Sequence, residues 1–338
     1  MNKKYNHIIL WLLLCLIGFI NCYAEENLKL GQTGFPFLSV VSDARAAAMA
    51  EAVTSLQFGS SSLFFNPSGM ADMTDFIDFS ASHNQWFADI THYTFSLAIS
   101  PAGGRYGVIG FSLQSVDYGK FFGTIYDPNN SENYSETGTF TLNALAIGVG
   151  YAKQLSNKFS VGGHVRWVNQ DLGSSVIPLV VVGDSVKETS TVSNKKTPLA
   201  FDFGTQFKTG FKSLAFGMSV RNFSQEIKYA YEGFQLPLVF NLGVSMNMMD
   251  IIDSSSEQVL FVCIDADHNR DYPERLKFGV EYQFMKVVSL RGGYMTSSIE
   301  SGFSFGIGLA YKGLVLDYSY TPIPVFNGVQ RITTRFSL

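Results

Sequence analysis

Cysteine is nearly absent from this chain. The three present are Cys15, Cys22 and Cys263. The first two lie in an N-terminal leader, so neither an intrachain disulfide nor a cysteine-based metal site can form in the mature protein. Long apolar runs are missing as well. Beyond the leader nothing approaches the roughly 18–20 residues of a membrane helix. Charged residues make up only 15% of the chain and lean acidic, with a net charge of −4. The leader itself has Lys3 and Lys4, an apolar run from Ile8 to Ile20, and a small-x-small site at Cys22-Tyr23-Ala24. Cleavage after Ala24 is expected, giving a signal peptide at 1–24; acylation of Cys22 as a lipoprotein is the alternative, disfavoured by Asn21 beside it. Losing two lysines and no acid leaves 22 basic against 28 acidic residues, a net charge of −6. That balance excludes nucleic acid as a partner, which calls for a basic surface. The chain is therefore exported, and any membrane crossing must use strands.

What is present instead is alternation. From Asp75 to Leu338 the chain reads as about fourteen segments in which one phase is apolar and the other collects the charges. Leu276, Phe278, Val280, Tyr282 and Phe284 interleave with Arg275, Lys277, Gly279, Glu281 and Gln283; Leu199, Phe201, Phe203 and Phe207 interleave with Ala200, Asp202, Gly204 and Gln206. A period of two places such sets on opposite faces of a strand. The expected strands are 75–86, 90–100, 105–118, 137–152, 158–171, 198–208, 213–225, 236–249, 257–267, 274–285, 287–297, 300–311, 313–321 and 327–338. Most are about ten residues long, enough to cross a bilayer at a tilt, whereas sandwich strands usually run about five or six. Long connections at 119–136, 172–197 and 226–235 follow odd-numbered strands, and short ones such as 101–104, 209–212 and 312–313 follow even-numbered ones. The fold class expected is therefore all-β, a 14-stranded antiparallel transmembrane β-barrel in the outer membrane, occupying 75–338. Thirty phenylalanines and sixteen tyrosines suit its lipid face. A lipid-facing Lys or Arg at midplane would cost about 2–4 kcal/mol. Arg166, Asp202, Arg221, Glu281, Arg291 and Asp317 accordingly all fall in the inward phase, with Arg275 and Arg331.

Residues 25–74 do not alternate. Asp43 to Ala52 reads as a short helix of strong helix formers capped by Ser42 or Asp43. Apolar clusters flank it at Gly34-Phe35-Pro36-Phe37-Leu38 and at Ser62 to Ala71. Fifty such residues need somewhere to bury, and the lumen is the available place, so an internal plug is expected. Its candidate functional residues are Phe35, Pro36, Phe37, Asp43, Arg45, Asn66, Pro67, Ser68 and Gly69. With the lumen charges they form either a network that holds the plug or a latch that opens a path.

Three strings in this segment, Gly34–Leu38, Asp43–Met49 and Asn66–Ala71, carry a family resemblance. So do Gln85–Ile90, Tyr151–Leu155 before Phe159–Gly162, Arg275–Tyr282 and Leu290–Tyr294. Together they resemble PorV/PorQ-family outer-membrane proteins, a group similar to the long-chain fatty-acid transporter barrels, with fourteen strands and an N-terminal hatch bearing Asn-Pro-Ala. Here Ser68 stands in place of that alanine. The resemblance implies a non-catalytic binding and hand-over component of type IX protein secretion and surface attachment. Its partners would be secretion-system or cargo proteins and outer-membrane lipid. The alternative it implies is an outer-membrane channel for a hydrophobic ligand, gated by Asn66–Ala71.

Other constellations are weaker. Asp265, Asp267, His268, Asn269 and Asp271 could hold calcium, but the spacing and terminal glutamate of a calcium loop are missing, and a solvated outer hairpin accounts for them equally well. The five histidines, at 7, 83, 92, 164 and 268, have no zinc spacing. The sequence has neither Gly-x-Ser-x-Gly nor a phosphate-cradling glycine loop. No catalytic, metal or cofactor site is expected. Residues 172–197 are either a partner-docking loop or a hairpin prolonging the wall. Trp86-Phe87 reads as an interfacial anchor at the first outer turn.

Overall fold

Alternation sets the architecture. In the computed structural model the described residues are 33–338 except 127–130, 183–184, 230–231, 253–256, 297–301 and 325; the leader and residues 25–32 lie outside them. On β7 (Leu199–Lys208), Ala200, Asp202 and Gln206 are buried while Leu199, Phe203 and Phe207 are exposed. The crossing strands repeat this alternation, because an unpaired charge or an unpaired backbone group facing hydrocarbon is costly. Among the described residues no helix is long and apolar enough to cross a membrane.

In chain order the wall is β1 (Ile77–Gln85), β2 (Thr91–Ile99), β3 (Val108–Tyr126), β4 (Tyr134–Ser156), β5 (Phe159–Val182), β7, β8 (Ala215–Phe223), β11 (Val239–Asn247), β12 (Val259–Asn269), β13 (Arg275–Phe284), β14 (Val288–Met295), β15 (Phe303–Tyr311), β16 (Leu314–Ile323) and β17 (Phe326–Ser337). Consecutive wall strands pair antiparallel throughout, and β1 closes on β17 from Asp78↔Ser337 to Gln85↔Gln330. The connected sheet has fifteen strands. One of them, β6 (Ser185–Lys196), pairs only with the outer part of β5, so the ring itself has fourteen, as expected. A small β9 (Ile227–Lys228) and β10 (Gly233–Phe234) ribbon lies in the connection from β8 to β11.

Two wall hairpins overrun their expected ends. The β3–β4 pairing continues to Tyr126↔Tyr134, and β5 continues beyond Asp171 against β6 as far as Val182↔Ser185, so of the two readings of 172–197 its described part fits the hairpin that prolongs the wall. Alternation fades there because water, not lipid, meets both faces. Backbone pairing continues regardless, since hydrogen bonding and not side-chain polarity holds a ladder together. At the opposite, short-turn end Phe76, Tyr106, Phe211, Phe284 and Tyr311 are exposed, an aromatic girdle at one membrane surface.

The apolar core is inside the ring. Phe35, Phe37 and Leu38 pack with Val116, Ala144, Ala146, Val168, Ala200 and Leu236. Met49, Val53, Leu56, Phe58 and Phe65 cluster around Cys263, and Leu63 and Met70 lie against Ala98, Val108 and Ala152. The inner segment brings the large side chains and the wall mostly the small ones.

Candidate functional site: the filled lumen and the outer cup

The helix expected over Asp43–Ala52 is shorter than its composition suggests. Asp43 caps α1 (Ala44–Ala48), its Oδ1 accepting from Ala46 N at 2.9 Å. Ala50 and Glu51 then turn left-handed, at φ 49° and 65°. Wall contacts decide this. Ser304 Oγ accepts from Ala50 N at 3.1 Å, Thr333 Oγ1 accepts from Ala44 N at 2.8 Å, and Glu51 is drawn to Lys277 Nζ at 2.9 Å. Together these contacts outweigh the local helix preference of Met49–Ala52.

The remaining expected residues are pinned in the same way. Phe35 adopts φ 58° before Pro36, Phe37 offers its carbonyl to Gln114 Nε2 at 2.8 Å, and both rings are buried. Asn66 Nδ2 donates to Thr54 O (2.7 Å) and Thr205 O (3.1 Å). Its Oδ1 accepts from Ser68 N at 3.2 Å and Ser68 Oγ at 2.7 Å. The hydroxyl that replaces the usual alanine methyl is thus used within the Asn66-Pro67-Ser68 turn. Gly69 is buried, and a Cβ there would meet Ser62 Oγ at 2.7 Å.

The lumen charges form two separate networks and leave one guanidinium apart. In the first, Arg45 donates to both oxygens of Glu281 (3.0 and 2.6 Å), Arg291 Nε donates to Glu281 Oε1 (2.7 Å), and Arg291 NH1 donates to Asp317 Oδ1 (2.7 Å). Arg45 also lies 4.4 Å above the Phe58 ring. In the second, Arg166 and Asn222 N both donate to Asp202 Oδ1, at 2.8 and 2.7 Å. Arg221 donates to the Phe64 carbonyl and has no ion-pair partner among the described residues. Asp43 Oδ2 receives Arg335 at 3.4 Å.

Sequence reading missed a third set. Lys277 joins Glu51 at 2.9 Å to Asp267 at 2.7 Å, and Arg275 also donates to Asp267. Asp265 Oδ2 accepts from Thr54 N at 2.9 Å. Asp265, Asp267 and Asn269 are therefore inward residues of β12, not a solvated outer loop, and the two carboxylates are occupied by protein donors. Burial alone pushes the Glu51 carboxyl up, but Lys277, with Arg275 and Arg221, holds it below the ordinary carboxylate range. A carboxyl held below its unfolded value stabilises the fold above the ordinary range and loses that contribution as pH falls through the depressed value. Hydrogen-exchange protection of the 44–56 amides, corrected for intrinsic rates, is therefore expected to drop below about pH 4. The drop should be smaller in Glu51→Gln; an identical profile in that variant would remove Glu51 as the cause.

Ser112, His164 and Asp202 form a relay: Ser112 Oγ to His164 Nε2 is 2.8 Å, and His164 Nδ1 to Asp202 Oδ2 is 3.0 Å. The spacing is that of an acyl-transfer triad. All three are buried, however, and Asp202 is shared with Arg166 and Asn222. Neither the outer cup nor the small cavity beside Arg166 is lined by Ser112. The relay satisfies buried polar atoms and offers a substrate no approach. Its members lie on β3, β5 and β7, so no sequence spacing announced it.

Above the inner segment, at the end with the long connections, lies a cup of about 510 Å³. Its floor includes Phe37, Val41, Ala50 and Glu51, and its wall includes Trp86, Tyr118, Arg221, Arg270, Arg275, Phe303 and Arg331. Trp86 turns to this mouth, with the Arg331 guanidinium 5.5 Å over its ring and His92 against its edge. The structure therefore places it over the lumen and not as the interfacial anchor expected. Phe87 also lines the cup and stacks on Phe326, centroids 5.0 Å apart.

Fold and interior together define a bacterial outer-membrane β-barrel whose lumen is occupied by its own N-terminal segment. Residues 54–323 match the family described as type IX secretion system membrane protein PorP/SprF, and the chain belongs to that family. The strings at 34–38 and 43–49, on which the PorV/PorQ resemblance leans, fall outside the matched range; what the match supports is type IX secretion membership without that finer name. Among solved structures the chain is similar to the Ralstonia pickettii toluene transporter TbuX, with TM-score 0.60, 13% identity, and 91% of this chain and 99% of that one covered. It is also similar to the Pseudomonas putida toluene transporter TodX (0.58, 13%, 86% and 95%) and to a Pseudomonas aeruginosa FadL homologue (0.51, 12%, 88% and 98%). At these identities the likeness is one of fold. No curated protein matches the chain.

Proposed function

We propose that this barrel is a non-catalytic binding and hand-over component of type IX secretion, serving as receptor or adaptor and not as the pore. The observation that carries the reading is the attachment of the N-terminal segment, which acts as a plug. Arg45–Glu281, Glu51–Lys277 and Asp43–Arg335 tie it to strands on one side, and Asn66 to Thr205 ties it to the other. A lumen tied off in this way suits docking and does not suit passage of a secreted chain. The β3–β4 and β5–β6 hairpins that project past the ring give partners a surface, in line with the PorV/PorQ-like role of passing cargo to surface attachment. Under this reading the lumen charges are fasteners.

Affinity capture of the full chain from native outer membrane tests it. Co-purification of identified secretion-system or surface-attachment proteins is expected. Bound lipid with no such partner would overturn the reading in favour of a hydrophobic-solute channel gated at Asn66–Ala71. The aromatic lining of the cup is the observation that favours that rival.

A further inference from the structure

Three buried polar atoms without hydrogen-bond partners among the described residues line the same cavity: Arg221 Nε, His92 Nδ1 and Asp271 Oδ1. Buried polar groups in the wall of a cavity this size give a ligand there something to bind. The surrounding charge says by what. Of the acids in the cup, Glu51 and Asp267 are occupied by Lys277 and Arg275, and Asp271 accepts from Thr33 Oγ1. Four arginines, Arg221, Arg270, Arg275 and Arg331, line the cup against those three acids, and Arg221 and Arg270 have no ion-pair partner among the described residues. An acidic protein thus presents an electropositive cup. Its aromatic faces, Phe37, Trp86, Tyr118 and Phe303, stand beside those cations.

We infer that the outer cup is a recognition site for an acidic segment of a partner polypeptide, a carboxylate flanked by aromatic or aliphatic side chains. Guanidinium groups bind carboxylates by directed paired hydrogen bonds, and aromatic walls take the neighbouring side chains. A peptide fits better than a lipid. An acyl tail lowered into this cup would lie against ionised Glu51, Asp267 and Arg275, whereas a peptide backbone brings its own donors and acceptors to His92 and Asp271. The cup opens at the end carrying the long connections, the outer side, where a secreted chain would be met. The inference rests on the secretion reading and names the chemistry of its partner.

The test uses the full-length barrel in detergent micelles and a fluorescein-labelled hexapeptide of alternating phenylalanine and aspartate, read by anisotropy. Its asparagine counterpart and laurate are the comparison probes. Saturable binding of the acidic peptide is expected, with the asparagine peptide weaker by about tenfold or more, as loss of a charge-assisted pair implies. Arg221→Gln and Arg270→Gln are expected to weaken it by a similar factor, and added salt to weaken it further. Arg221 also holds the Phe64 carbonyl, so its variant could disturb the plug; Arg270 makes no such contact among the described residues and keeps the test decisive. Equal binding of the two peptides, or no effect of Arg270→Gln in a folded barrel, overturns the inference. Displacement of the peptide by laurate with the same arginine dependence overturns it in favour of a lipid site. Failure here alongside successful capture of secretion proteins removes the cup assignment alone. Peptide binding without any such capture removes the secretion role and leaves the site.

Discussion

Gly204→Val is expected to unseat the Asn66–Met70 turn and to lower the unfolding free energy by about 3 kcal/mol or more, the scale of overpacking plus orphaned carbonyls. A Cβ at Gly204 would lie 1.9 Å from Asn66 Oδ1 and 3.1 Å from Pro67 Cδ. The intrusion drives Asn66 from its place and frees Thr54 O and Thr205 O of their donor. The wall has nothing to yield, because β7 is paired on both sides. Gly163→Val supplies the control: a Cβ there meets nothing nearer than 3.9 Å, and valine favours a strand. Urea midpoints in micelles and protease protection of residues 33–73 read both effects. Matching losses in the two variants would show that glycine serves strand flexibility and not room for the inner segment.

Removing the charge at Arg291 should cost as much. Arg291 lies between two buried carboxylates, 2.7 Å from Glu281 Oε1 and 2.7 Å from Asp317 Oδ1. In Arg291→Leu, Glu281 keeps Arg45, but Asp317 loses the one ion-pair partner it has among the described residues. Breaking a buried pair from one side typically costs about 3–5 kcal/mol, because the stranded charge has lost its water and gained nothing. Adding Asp317→Leu to Arg291→Leu should recover most of that loss. A double variant no better than the single one would mean that the methylene packing of Arg291, and not its charge, stabilises the barrel. Arg45→Ala should cost less than either, since Glu281 retains Arg291 and water reaches the rim of that pair.

These two positions mark what reading the chain in one dimension can and cannot supply. Arg291 and Asp317 were assigned to the lumen from phase alone, since a charge in the lipid phase is penalised wherever it falls. That Arg291 meets Glu281 follows from neighbouring strands, Glu281↔Arg291 being direct partners in the ladder. Arg45 reaching Glu281 from 236 residues away has no such local logic. Gly204 looked like any glycine in a strand, and nothing in its neighbours names Asn66. In sequence the β3–β4 extension reads as a loop at 119–136, and 172–197 reads as either loop or hairpin, because alternation reports the solvent on each face, and outside the bilayer both faces share one.

The outer-membrane location, strand crossing, the count of fourteen and the inward placement of the charges were all set by the sequence alone. Each is a consequence of the bilayer acting as an anisotropic solvent, which sorts residues by position in the chain without regard to partners. The tertiary structure alone decided which carboxylate each arginine meets, where α1 stops, that Ser112, His164 and Asp202 converge in a closed space, and that His92, Arg221 and Asp271 meet at one outer cup. Those outcomes depend on contacts between residues far apart in the chain, and such contacts exist only once the ring has closed around the segment that fills it.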